Sequence, residues 1–135
     1  MVVETLQISL FGSIFDNTPQ PAEARWPADL DDWFLADGPG DKEKAPLWSP
    51  VTYRPGTLRE KGKTAENILS VNALVLDYDA EQGVKIERAE EVWGAWDHVL
   101  HTTFSHDPER PAFRVVLPFT RPISTAEYAR VWSWA

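Results

Sequence analysis

Two aspartates one residue apart, Asp77 and Asp79, end the run ALVLDYD. Burying an unpaired carboxylate is costly, so an apolar strand that delivers two of them to one place raises the question of what they hold. Side chains two apart on a strand share a face. That sets Asp77 and Asp79 side by side, about 6.5–7 Å apart along the strand, with Leu74, Leu76 and Tyr78 pointing the other way. One divalent cation can bridge such a pair, or each carboxylate can anchor one ion of a two-metal centre that steadies the attacking and leaving oxygens in phosphoryl transfer. Oxygen-only ligation selects magnesium or manganese over zinc. The plainer reading makes them strand-end aspartates in solvent, capping a helix that begins near Val84, since short acidic motifs are common. Against it stands the apolar lead ALVL, which puts the pair at the C-terminal end of a central strand, where α/β folds hold their ligands.

A second cluster lies in HTTFSHDPERPAFRVVLPFTRP, residues 101–122. Alternation sets Thr103 and Ser105 on one face of its first strand and Arg114 alone among the inward-type residues of its second. Hydroxyls, His106 and Arg114 suit polyphosphate oxygens, through hydroxyl hydrogen bonds and a charge-assisted fork. The plainer readings are a surface turn residue for His106 and an ion pair with a neighbouring carboxylate for Arg114. A third feature is RPGTLREKGK, residues 54–63, with four basic side chains against one acidic. Arg59, Lys61 and Lys63 there can guide template or nucleotide phosphates, or form an ordinary solvated loop.

The elements that must position these groups follow from periodicity. TLQISLF, residues 5–11, alternates Leu6, Ile8 and Leu10 as a half-buried strand, and FDNTPQP breaks it. PADLDDWFLA, residues 27–36, puts Leu30, Trp33 and Phe34 at helical spacing with Pro27 in the first turn. WSPVTY is a short extended piece that Pro50 restricts to an edge or an irregular strand. SVNALVLDYD is the clearest strand. KIERAEEVWGAW is an amphipathic helix with Ile86, Ala89, Val92, Trp93 and Trp96 on one face. HVLHTTFS and AFRVVLPF form a hairpin about the turn SHDPERP, and RPI leads into a last helix, where Ser124 and Glu127 make a capping box. The fold class is therefore α+β, and most of the seven tryptophans are expected in core or helix-packing positions.

Composition narrows the function. A chain of 135 residues makes one domain, 1–135, and 43% hydrophobic with 25% charged residues is ordinary for a globular protein. No apolar run approaches the roughly 20 residues of a membrane span, and the N-terminus lacks a basic leader. Absence of cysteine removes disulfides, thiolate zinc sites and cysteine nucleophiles, and the cytoplasm is the expected compartment. A net charge of −8 argues against coating nucleic acid by bulk electrostatics, which leaves only local basic contacts. A phosphatase of the haloacid dehalogenase type also starts from a strand ending in D-x-D, but it needs a downstream lysine, and Lys85 is the sole lysine after Asp79. A nucleotide-sugar transferase uses D-x-D for manganese, and nothing else in the chain singles it out.

Together the clusters resemble the archaeo-eukaryotic primase superfamily, the primase-polymerases, and in particular the N-terminal domains of replication proteins from phages, prophages and plasmids. LVLDYD matches the first motif, TTFSH followed by PAFRVVLPFTRP the second, and LWSPVTYRPGTLREKGKTAENILSV the approach to them. The resemblance runs from about residue 47 onward. It implies an RRM-like catalytic sheet flanked by helices, Asp77 and Asp79 as catalytic ligands of Mg2+ or Mn2+, and Thr103, Ser105, His106 and Arg114 as contacts of the incoming triphosphate. It further implies nucleoside triphosphates and a single-stranded DNA template as partners, with a fused or associated helicase, and no membrane. The superfamily's second motif often ends in a histidine where this chain holds Arg114. Its third motif, another aspartate, has no convincing counterpart before residue 135, with Asp97 and Asp107 stand-ins by type alone. The expected chain is thus a truncated catalytic core for template-directed nucleotidyl transfer, and the alternative is a non-catalytic nucleotide- or single-stranded-DNA-binding module of the same fold.

Overall fold

The computed structural model describes residues 3–13, 15–35, 47–58, 64–103 and 106–135. Leu6 and Ile8 lie on the buried side of strand β1 (Thr5–Phe11), as their alternation predicts. β1 pairs antiparallel with β2 (Gln20–Arg25) on one side and β3 (Leu47–Ser49) on the other. β2 has no counterpart in the periodicity. QPAEAR is small and polar, and an edge strand needs little more than its one buried side chain, Ala24, and tolerates Pro21. Helix α1 (Ala28–Leu35) follows, with the Pro27 carbonyl accepting from Asp31 N–H and Leu30 fully buried. The side chains of Trp33 and Phe34 lie outside those described.

WSPVTY is a corner between sheets. β3 ends at Ser49, Pro50 turns the chain, and β4 (Val51–Tyr53) opens a second sheet with strand order β4-β5-β7-β6. β5 (Ile68–Tyr78) is internal, between β4 and β7 (Phe113–Ile123), and β6 (Val99–Thr102) flanks β7. Two helices, α2 (Ile86–Trp93) and α3 (Thr125–Trp134), complete an α+β fold whose strand pairings are antiparallel in both sheets. β7 runs on through the RPI that periodicity assigns to a lead-in. β6 pairs only with residues 113–116 of β7, so Pro118 and Pro122 fall where no β6 partner asks for their N–H.

Each face of the second sheet has its own core. Ala73, Val75, Val99 and Val116 face β1, Trp26 and Leu30 of the first sheet and α1. Leu74, Leu76, Phe113, Val115 and Leu117 face Ala89 and Trp93 of α2 with Tyr128 and Val131 of α3. α2 stops at Gly94, whose N–H bonds to the Glu90 carbonyl, so its apolar face does not extend to Trp96 as the periodicity predicts. Val92 and Trp96 are exposed, as are Trp132 and Trp134, so of the tryptophans whose side chains are described only Trp26 and Trp93 are buried. Trp96 instead lies against Trp134, ring centroids 5.2 Å apart. The expected capping box starts α3: Ser124 Oγ accepts from Glu127 N–H at 3.1 Å and Ser124 N–H donates to Glu127 Oε1 at 3.2 Å. Arg121 donates to the same carboxylate and, with the cap, holds its pKa down at about 2.

Two buried polar side chains tie the sheets together. Ser9 Oγ on β1 donates to the Val51 carbonyl on β4 at 2.7 Å, and Asn72 Nδ2 on β5 donates to the Gln7 carbonyl on β1 at 3.0 Å. Asn72 also accepts from Ser70 Oγ, and its N–H reaches the Pro50 carbonyl at the corner. It sits where the β5–β7 register shifts, so a side-chain amide does there what the ladder does elsewhere. Among the described residues, no helix is long and apolar enough to cross a membrane. Replacing Asn72 by Ala should cost about 1–3 kcal/mol, because it removes the part-buried bond to the Gln7 carbonyl and the amide that satisfies the register shift. Urea unfolding measures this, and an unchanged midpoint would show that Asn72 does not couple the sheets.

Candidate functional site

β5 leaves the core at Asp77. Its residues 71–74 are buried, and Asp77 is exposed, with 53% of its side chain open to solvent. Alternation keeps Asp77 on the face of Ala73 and Val75, beyond the reach of the first sheet that covers them. Tyr78, between the two aspartates, faces the helices. It stacks on its cross-strand partner Phe113 with centroids 4.8 Å apart, and its hydroxyl accepts from Trp93 Nε1 at 2.9 Å. The tyrosine of LDYD thus fastens the strand end to α2, and Asp77 is presented on the opposite face.

Register aligns the next groups. Asp77 is the direct partner of Arg114 on β7, and Arg114 is the partner of His101 on β6. Directly opposed residues of an antiparallel sheet point to the same side, so His101, Arg114 and Asp77 form one row across three strands. Arg114 Nε stands 3.5 Å from Asp77 Oδ1, an ion pair with half-open side chains and so a weak contributor to stability. The plainer reading of Arg114, an ion pair with a nearby carboxylate, describes this contact. Asp79 remains extended at φ −78° and ψ 154° and caps a 3-10 turn over Ala80–Gln82, its N–H donating to Gln82 Oε1 at 2.6 Å. The helix near Val84 begins two residues later, at Ile86, after Gly83 turns with φ 66°.

The hairpin beyond β6 carries the remaining polar groups. Thr103 N–H donates to the Ala112 carbonyl and continues the β6–β7 ladder past Thr102. His106 N–H donates to the Thr103 carbonyl, and its ring Nδ1 accepts from Ala112 N–H at 3.2 Å. An amide N–H can only donate, so Nδ1 is unprotonated in this arrangement and Nε2 carries the proton of the neutral ring. Asp107 N–H and carbonyl pair with Arg110, and its carboxylate accepts from Glu109 N–H, which shapes the turn. Asp97 accepts from Trp26 Nε1 at 2.8 Å and pins the first sheet beside β6. Both stand-ins for a third metal-binding aspartate therefore have structural work. Ser105, Arg59, Lys61 and Lys63 lie outside the described residues.

Among the described residues no group of three or more metal-ligating side chains gathers. Two hard carboxylates two residues apart, Asp77 and Asp79, would nonetheless fit the way magnesium is held, by one or two carboxylates with water and substrate phosphates filling the other positions. The site is open: cavities of about 310 Å³ and 280 Å³ lie elsewhere, the first between β1 and the end of β7 and the second beside β4 and Arg54.

His101 is the residue that motif reading passes over, although its two-residue offset from Thr103 places it on the face assigned to that hydroxyl. Its Nδ1 contacts the Thr102 carbonyl at 3.1 Å. Burial is the largest influence on the ring and lowers its pKa, with the Thr102 contact opposing and the Arg114 and Asp77 charges acting in opposite senses. A folded-state pKa below the unfolded one means that the unfolded chain binds more protons in between. Stability is then complete above the ordinary histidine value and falls as pH drops through it. Replacing His101 by Asn should flatten the loss of stability between pH 7.5 and 5, measured by denaturant midpoints. Parallel curves for the two proteins would contradict this.

The family model described as the VapE N-terminal domain matches residues 52–133. That span takes in Asp77, Asp79, His101, Thr103, His106 and Arg114 and leaves out β1, β2, α1 and β3. No curated protein and no solved structure matches the chain.

Proposed function

The chain belongs to the VapE N-terminal domain family, a phage- and plasmid-replication-associated domain, and from that premise we propose that it binds a nucleoside triphosphate with Mg2+ or Mn2+ for nucleotidyl transfer on a single-stranded DNA template. The observation that carries this reading is the row of Asp77, Arg114 and His101, with Asp79 two residues on along the extended backbone and Thr103 at the hairpin. Asp77 and Asp79 would hold the metal and the Arg114 guanidinium, one strand away, would bind phosphate, the separation that a metal–triphosphate ligand calls for.

In this reading Asp77 and Asp79 hold the cation. When bound, the cation supplies charge neutralisation at the phosphates and at the leaving pyrophosphate. Arg114 presents its fork to phosphate oxygens, the Thr103 hydroxyl and His106 Nε2–H donate to them, and Ser105 adds a further hydroxyl. Arg59, Lys61 and Lys63 would meet phosphates of the template or the nucleotide. Work as a primase-polymerase, alone or with a fused or associated helicase in replication of a mobile element, extends the same proposal.

A second reading keeps the binding and drops the chemistry: a nucleotide- or single-stranded-DNA-binding module. It is favoured by the two-carboxylate donor set, with Asp97 and Asp107 engaged in structural bonds. Calorimetry with a non-hydrolysable triphosphate separates the two. The catalytic reading expects manganese to tighten binding roughly tenfold or more, a gain of about 1.4 kcal/mol, and Asp77→Asn with Asp79→Asn to remove that gain while leaving the fold intact. Affinity indifferent to manganese would leave the binding module.

A further inference from the structure

We infer that Arg114 is a counter-ion relay: it holds Asp77 while no phosphate is bound and releases it when a triphosphate takes the guanidinium, so that cation and triphosphate binding are coupled through one side chain. The inference rests on the proposed triphosphate site and adds an order of events to it.

Three observations carry it. The Arg114 Nε to Asp77 Oδ1 distance of 3.5 Å lies beyond the roughly 2.7–2.9 Å of a charge-assisted hydrogen bond, so the pair is electrostatic and separable. Both side chains reach solvent, at 36% for Arg114 and 53% for Asp77, and a guanidinium there can exchange one anion for another without being stripped of water. The backbone beneath is fixed, because Phe113 and Val115 on either side of Arg114 are fully buried against the helix layer. Exchange is therefore a matter of side-chain rotation alone.

The electrostatics set the sign. A guanidinium against Asp77 cancels the charge that a cation seeks and repels the cation directly. A triphosphate that engages Arg114 removes both effects. By linkage a bound cation must then favour the triphosphate by the same factor.

Mn2+ binding to the chain without nucleotide, followed by electron paramagnetic resonance, tests the relay together with metal-free binding of a fluorescent ATP analogue. Arg114→Gln should bind Mn2+ roughly fivefold more tightly than wild type, the scale of one exposed ion pair, and bind the ATP analogue more weakly. In the Asp77→Asn background most of the Mn2+ gain should be lost, leaving only the smaller part that comes from direct repulsion of the cation. Arg114→Lys keeps the charge and loses the fork, so its Mn2+ affinity should stay at the wild-type level while binding of the analogue falls. An Arg114→Gln protein that binds Mn2+ no better than wild type overturns the relay; if Asp77→Asn still weakens Mn2+ binding, the proposed site survives that result. Mn2+ binding indifferent to Asp77→Asn in every background overturns both.

Discussion

Burial of β5 between two unequal covers is the constraint on which the rest of the structure depends. From Val71 to Leu74 the strand is buried, with Asn72 its one polar side chain, and is covered on both faces, by the first sheet on one side and α2 and α3 on the other. Burying apolar surface on this scale is worth roughly 25 cal/mol for each Å² removed from water, so the register of the strand is strongly specified. At Leu76 and Tyr78 the helix-side cover continues. On the other face the first sheet has ended, and the next residue in line is Asp77. A one-residue slip would turn Asp77 into the helix layer beside Trp93 and push Leu76 toward solvent.

The same asymmetry explains the site's chemistry. Carboxylate, guanidinium and imidazole lie in one row at the rim of a buried face, the first two exposed enough to stay hydrated and all three close enough to feel one another. Full burial of Arg114 and Asp77 would have required a tight, fully hydrogen-bonded pair, whereas half-exposure permits a loose one that a phosphate can part. His101, more enclosed than either, is held toward its neutral form by burial. Tyr78 lends the row its rigidity from the opposite face, through Trp93 and Phe113.

Much of this arrangement is legible in the sequence, and the gaps have physical causes. Alternation in ALVLDYD gives both the strand and the facing of Asp77 against Leu76 and Tyr78, because beyond the register shift at Asn72 the pairing with β7 is regular. The capping box at Ser124 is equally local. β2 escapes because an edge strand of small and polar residues has no hydrophobic period, and it exists only because β1 offers it a partner. The corner at Pro50 escapes because the decision to change sheets is made by Asn72 and Ser9, far away in sequence. The exposed tryptophans are misjudged for a related reason: Gly94 ends α2 before Trp96, and a count of aromatic residues carries no information about where a helix stops. His101 was within reach, since the offset that selects Thr103 selects it too, yet only the β6–β7 register shows that it stands beside Arg114.

Paramagnetic broadening of the amide spectrum by sub-stoichiometric Mn2+, with a non-hydrolysable triphosphate present, tests most directly whether these groups share one ligand. Selective loss of the Asp77, Asp79, His101, Thr103 and Arg114 signals, with Gln7 and Arg121 untouched, is the result that the account predicts. Broadening centred instead on the acidic face of α2 at Glu87, Glu90 and Glu91, or spread evenly over the chain, would contradict it.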